Sequence, residues 1–173
     1  MAMIEIRSLA PKDIETLGDL HFPWSSREKT IAQWTLYFQE HQQGIRKAQI
    51  VLQQNSIVGY GHLLFQSEYP EFKNNDIPEI QALWIFDPFR NKGLGTKLIR
   101  HLETLACEKG YTKIGIGVGL YKDYGPAQRL YHHLGFSPNG EGVTYKYAPV
   151  IAGEAHPVDD DLILWLTKTL YTP

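Results

Sequence analysis

Residues Arg90-Asn91-Lys92-Gly93-Leu94-Gly95-Thr96 combine two cations, two glycines and the opening of a helix. Leu94, Leu98, Leu102 and Leu105 recur at helical spacing, which predicts a helix from about Gly93 to Lys109 with Gly110 just past its end. A helix N-terminus presents unpaired N–H groups and the positive end of a dipole, and glycines let a phosphate come close to them. The stretch 90–96 is therefore a candidate anion cradle. It is not a Walker loop, because no Gly-Lys-Ser/Thr follows at the required spacing. It is not a dinucleotide fingerprint either, since the third glycine would fall at Leu98, a core position.

Other chemistries find less support. None of the seven histidines stands in a His-Glu-x-x-His arrangement, and the adjacent His132 and His133 diverge on a helix. Asp159-Asp160-Asp161 lacks the alternation and glycine of a calcium loop and reads as a solvated turn or strand cap. No metal site is expected. No serine lies in a Gly-x-Ser-x-Gly elbow, and Cys107, the only cysteine, reads as a small packing residue of the middle helix.

The elements that must position the cradle follow from periodicity. Met3 to Arg7 alternates as a strand, and Pro11 opens a helix with Ile14, Leu17 and His21 on one face. Ser25-Ser26-Arg27-Glu28 reads as a capping box for a second helix, with Ile31, Trp34, Phe38 and His41 as its apolar face and Gly44 at its end. Strands over about 45–53 and 57–66 form a hairpin through Gln54-Asn55-Ser56, and 67–77 is a loop. The apolar strand beginning near Ile80 leads through Asp87-Pro88 into the cradle. Beyond the long helix, Lys113 to Gly119 is a strand with three glycines on one face, open either to a close ligand or to packed side chains. A short helix over about 125–134 with Gly135 as cap, and strands at 143–148 and 162–167, complete the chain. Helices interspersed among strands imply an α/β (α+β) mixed sheet flanked by helices, and the length suits one domain over residues 1–173.

Lys+Arg 17 against Asp+Glu 19 leaves a net charge of −2, so nucleic acid is not an expected partner. One cysteine excludes an internal disulfide. No apolar run reaches the length of a membrane span and no signal-peptide core opens the chain, so no membrane partner and a cytoplasmic location are expected.

Two motifs carry a family resemblance. Arg90-x-x-Gly93-x-Gly95 resembles the pyrophosphate-binding signature of the GNAT superfamily of N-acetyltransferases, which use acetyl-CoA. Tyr124-Gly125-Pro126-Ala127-Gln128-Arg129-Leu130-Tyr131-His132-His133-Leu134-Gly135-Phe136 resembles the family's second hallmark, in a version similar to a bacterial group. The resemblance covers about residues 3 to 148 and implies a central, mostly antiparallel sheet of about seven strands with about four helices. One position departs from it: Tyr124 stands where many members carry an asparagine that contacts the pantetheine arm, so that contact is not carried over.

The resemblance implies roles. Residues 90–96 would hold the pyrophosphate, with Arg90 and Lys92 supplying charge. Backbone groups around Leu83, Trp84 and Ile85 would pair with pantetheine, and a strand N–H there would stabilise the thioester oxygen, worth about 3–4 kcal/mol per donor. An alkyl amine with a pKa of about 10 is mostly protonated at neutral pH, so a base is useful. Glu79 is the candidate, eleven residues before Arg90 and of the same strand parity as Leu83 and Ile85; the alternative is a solvated or salt-bridged strand-end carboxylate. Tyr131 resembles the tyrosine that donates to the departing sulfur, the alternative being core packing. Direct transfer in a ternary complex is expected, with no acyl-enzyme. The acceptor would be a primary amine of a small molecule, or a protein N-terminus or lysine. A non-catalytic acyl-CoA-sensing domain is the competing class, and a monomer or a homodimer is compatible with the chain.

Overall fold

A computed structural model describes residues 3 to 171. The elements in order are β1 (Ile4–Ser8), α1 (Pro11–Asp19), α2 (Arg27–Gln42), β2 (Arg46–Gln53), β3 (Ser56–Leu64), α3 (Pro70–Asn74), β4 (Glu79–Ile85), α4 (Leu94–Glu108), β5 (Lys113–Gly119), α5 (Gly125–His133), β6 (Ser137–Tyr145), β7 (Ala148–Pro149) and β8 (Leu162–Thr169). The strands form one sheet in the order β1-β2-β3-β4-β5-β8-β6-β7. Every neighbouring pair is antiparallel except β4–β5.

Alternation along the strands sends side chains to two cores. Val51, Ile114, Ile116 and Val118 pack with Leu98, Ile99 and Leu102 of α4 and Tyr131 of α5. Ile50, Leu52 and Tyr60 pack on the other face with Leu17 of α1 and Trp34 of α2. The result is a helix-sheet-helix sandwich. Tight turns are paid for at positive φ: Gln54 and Asn55 (φ 50° and 65°) make the two-residue β2–β3 hairpin.

Several local expectations are corrected. His21 lies beyond the end of α1. Ser26, rather than Ser25, caps α2 by accepting from Lys29 N–H at 3.3 Å, while Ser25 Oγ is bonded by the Thr30 hydroxyl at 2.9 Å. The expected loop 67–77 contains α3, whose Phe72 is fully buried. The glycine face of β5 is covered: a Cβ at Gly115 would meet Phe72 at 2.2 Å, and one at Gly119 would meet Tyr124 at 2.4 Å. Those glycines admit aromatic rings. The expected strand 143–148 is part of β6, which starts at Ser137 and shifts register between Pro138 and Val143, followed by the short β7.

The correction with most consequence lies in β4. Ala82 has φ +52°, and the β3–β4 register shifts between Tyr60 and His62. This bulge inserts one residue and reverses the side-chain alternation. Ile80, Leu83 and Ile85 consequently pack toward α4, whereas Trp84 and Phe86 join the α2-side core. Glu79 does not share a face with Leu83 and Ile85. It points with Gln81 toward α2, where Arg46, the partner of Gln81, lies over the Tyr37 ring.

Candidate active site

The candidate cradle lies at the N-terminus of α4. Gly93 caps the helix at φ +76°, and Asn91 is also left-handed at φ +59°. Lys97 N–H donates to Gly93 O at 3.0 Å, which leaves the N–H groups of Leu94, Gly95 and Thr96 without intrahelical acceptors. Nothing lies within 4 Å of where a Gly93 Cβ would stand, so this glycine is required by its backbone angle. At Gly95 space is tight instead: a Cβ there would lie 3.3 Å from Leu130 Cδ2, and that side chain would have to give by a few tenths of an ångström. Both cations are held by their own turn. Arg90 Nε donates to Ile85 O at 2.8 Å, its guanidinium pairs with Asp87 at 2.9 Å, and it lies 4.7 Å over the Trp84 ring. Lys92 Nζ donates to Pro88 O at 2.9 Å.

Beside the cradle the sheet comes apart. Of the seven residues of β4, only Glu79 and Ile80 pair with β5, opposite Gly115 and Ile116. From Gln81 onward the strands diverge, and residues 81–86 are half-buried or exposed. The edge of β4 that faces the gap carries unpaired backbone groups, which favour an extended, hydrogen-bonding occupant.

A pocket of about 210 Å³ opens in this gap, lined by Ala82 on one side and Gly117 on the other. Its wall includes Glu79, Gln81, Lys146, Tyr147, Asp160, Asp161 and Trp165. Glu79 is only 4 % exposed. Its Oε2 accepts from the Ser67 hydroxyl at 2.6 Å. Burial is the main reason its proton affinity is raised, with the Glu68 charge adding to the rise and the Ser67 hydrogen bond, the Gln81 amide and the Arg46 charge opposing it. A carboxyl held in this way suits proton acceptance near neutral pH.

Comparison with known proteins identifies the group to which this architecture belongs. A model of the acetyltransferase (GNAT) family matches residues 13–136. The chain belongs to that family. No curated protein matches its sequence. Its fold is shared with a Salmonella typhimurium protein described as an acetyltransferase and solved with its cofactor acetyl-CoA (TM-score 0.69, 18% identity, 99% of this chain and 96% of that one). A Salmonella typhimurium acetyl transferase that modifies the N-terminal serine of ribosomal protein L7/L12 is similarly alike (TM-score 0.74, 16% identity, 97% and 95%). So is an aminoglycoside 6′-acetyltransferase type Ii (TM-score 0.67, 20% identity, 98% and 99%).

GNAT enzymes take their acyl group from acetyl-CoA, and two features of this chain suit parts of that molecule. The gap between β4 and β5 offers a free backbone edge to an amide-containing arm, and the glycine-capped start of α4 offers N–H groups to a diphosphate. The two residues expected to act in catalysis are not brought to one surface. Glu79 lines the pocket, whereas Tyr131 lies in the core between α5 and α4 at 6 % exposure. Burial pushes the Tyr131 phenol upward, so it stays protonated, and it makes no hydrogen bond to a described residue. Tyr124 ends the turn before α5, and its hydroxyl donates to Asp160 at 3.0 Å.

Sequence reasoning missed one side of the pocket. Asp159, Asp160 and Asp161 form an exposed turn, but each has a partner. Tyr145 donates to Asp159 at 3.1 Å, Tyr121 and Tyr124 both donate to Asp160, and Lys146 lies 3.9 Å from Asp161. Interleaved tyrosines at 121, 124, 145 and 147 were the available signal. Ser67, Gln81 and Trp165 were also missed, because each comes from a segment with no motif of its own. Of the aromatics, Trp34, Tyr60, Tyr69 and Phe72 are core, and Trp24 is exposed with its ring 5.1 Å from that of Trp84.

Proposed function

We propose that this GNAT transfers an acetyl group from acetyl-CoA to the primary amine of a small cationic molecule, directly within a ternary complex. The observation that carries this reading is Glu79, a buried carboxylate with raised proton affinity in the wall of a pocket that also presents Asp160 and Asp161. Three carboxylates against one lysine, already beside Asp161, favour a cation over an anion. The small pocket volume of about 210 Å³ favours a compact amine or a slender chain end.

Acetyl-CoA, when bound, supplies an activated acyl group as a thioester. In this reading Arg90, Asn91, Lys92, Gly93, Leu94, Gly95 and Thr96 hold the pyrophosphate, and the backbone of Leu83, Trp84 and Ile85 holds the pantetheine arm along the free edge of β4. Glu79 takes a proton from the incoming ammonium, leaving nitrogen with the lone pair that acylation requires. Tyr131, kept protonated by burial, is the hydrogen-bond donor on the leaving side. The reading needs no acyl-enzyme.

The test is thiol release from acetyl-CoA by the purified protein with spermidine, an aminoglycoside and a peptide bearing a free N-terminal serine. Turnover with the small cations, lost in Glu79→Gln, is expected. Turnover with the peptide alone would replace the acceptor class. Calorimetric binding of acetyl-CoA with no turnover on any amine would make this a sensing domain.

A further inference from the structure

Arg46 lies beneath the strand that carries Glu79 and is only 6 % exposed. A buried guanidinium is tolerated only when its donors are satisfied. Its Nε donates to Glu40 Oε2 at 2.5 Å, and its Nη1 reaches His62 Nδ1 at 3.0 Å and Gln81 Oε1 at 3.2 Å. The Tyr37 ring lies 4.4 Å beneath its central carbon.

An arginine can only donate, so it decides the orientation of both neutral partners. His62 must accept through Nδ1 and carry its hydrogen on Nε2. It stays uncharged, because burial first and the Arg46 charge second push its proton affinity down to about 3. Gln81 must turn its oxygen toward Arg46 and its NH2 group away. His62 and Gln81 are direct cross-strand partners, and Glu79 precedes Gln81 by two residues, ahead of the bulge and on the same face. The Gln81 amide bears on the Glu79 carboxyl and favours its ionised form.

We propose that Arg46 is a positioning residue of the acceptor site: by holding the Gln81 amide oxygen it turns the NH2 group to the side of Glu79, next to the carboxylate that Ser67 bonds. The proposal rests on Glu79 as the base for its catalytic meaning. Its geometric content stands without that. The groups that face Glu79 or bear on its charge are Ser67 and Glu68 after β3, Gln81 on β4, Arg46 on β2, and Lys146, Tyr147, Asp160 and Asp161 across the pocket. Arg46 and Lys146 are the cations among those groups; Arg46 acts on Glu79 by its charge and through the Gln81 amide, and Gln81→Met isolates the second route.

The experiment is a carbon-13 NMR titration of glutamate side-chain carboxyls in the whole protein, with Glu79→Gln identifying the resonance. Arg46→Met keeps the aliphatic stem and removes the donors. Gln81→Met removes the amide at a half-buried position and leaves Arg46 with Glu40 and His62. The Glu79 midpoint is expected to rise by about one pH unit in both variants, the size of a lost charge-oriented donor. An unchanged midpoint in folded Arg46→Met, or in Gln81→Met should the first variant not fold, overturns the proposal. If turnover survives Glu79→Gln while the midpoints move as expected, the base reading fails and the positioning role stands.

Discussion

The Ser67 hydroxyl donates to Glu79 Oε2 at 2.6 Å while accepting from Tyr69 N–H at 3.0 Å. The backbone N–H occupies a lone pair of the hydroxyl, so the hydroxyl hydrogen is committed to the carboxylate. A donor on an ionised acid lowers its proton affinity, here against the larger opposing effect of burial. Ser67→Ala should therefore move the acid limb of the kcat/KM profile to higher pH by about one unit. A pH profile that superimposes on the parent's would show that Glu79 does not govern that limb.

Glu79→Gln should gain stability where it loses activity. The folded-state affinity of Glu79 for a proton is raised above its ordinary 4.5. Between the ordinary value and the raised one, the native state keeps a proton that the unfolded chain has released, so stability falls as pH rises through that window. The amide escapes this loss. Thermal melts should place the variant above the parent at about pH 8 and level with it at about pH 4. A variant less stable than the parent at the higher pH would mean that the ionised carboxylate is favoured by its surroundings.

Tyr131→Phe should separate chemistry from packing. The ring fills the α4–α5 core, and the hydroxyl bonds to no described residue, so the substitution should change stability by less than about 0.5 kcal/mol. Turnover should drop about a hundredfold, the low end of what a lost proton donor costs, while the calorimetric affinity for acetyl-CoA stays the same. Full turnover would assign the residue to the core alone.

The cradle is best probed at Gly93, which has open space around it, rather than at Gly95, which packs against Leu130. Aspartate and asparagine both tolerate the left-handed conformation that Gly93 adopts at φ +76°. Gly93→Asp places a carboxylate where the helix would receive a phosphate, whereas Gly93→Asn has the same shape without the charge. We expect acetyl-CoA affinity to fall at least about tenfold further in the aspartate variant, about 1.4 kcal/mol, with similar melting temperatures for the two. Equal affinities would remove the α4 N-terminus from diphosphate binding.

The glycine-capped start of α4 was legible because its signal is local. Glycine spacing, a leucine period and flanking turn residues lie within one stretch, and a helix N-terminus behaves alike wherever it occurs. The β2–β3 hairpin and the caps at Gly44, Gly110 and Gly135 were readable for the same reason. The facing of Glu79 was not. Parity counting assumes an unbroken strand, and nothing in Gln81-Ala82-Leu83 announces that an alanine will adopt φ +52°. The glycine face of β5 was open to two readings, because the covering rings, Phe72 and Tyr124, come from distant segments. The Arg46, Gln81, Ser67 and Asp160 partners of the pocket are likewise long-range contacts between unremarkable residues, which only the packed sheet brings together.

The divergence of β4 and β5 also has a mechanical meaning. In the strand ladder two residue pairs join one half of the eight-stranded sheet to the other, so the domain carries a notch across its middle. A molecule lying in the notch and bonded to the free edge of β4 would serve as a splint. The donor would then complete the hydrogen bonding of the sheet that uses it, and the edge of β4 would be bared again each time the spent donor departs.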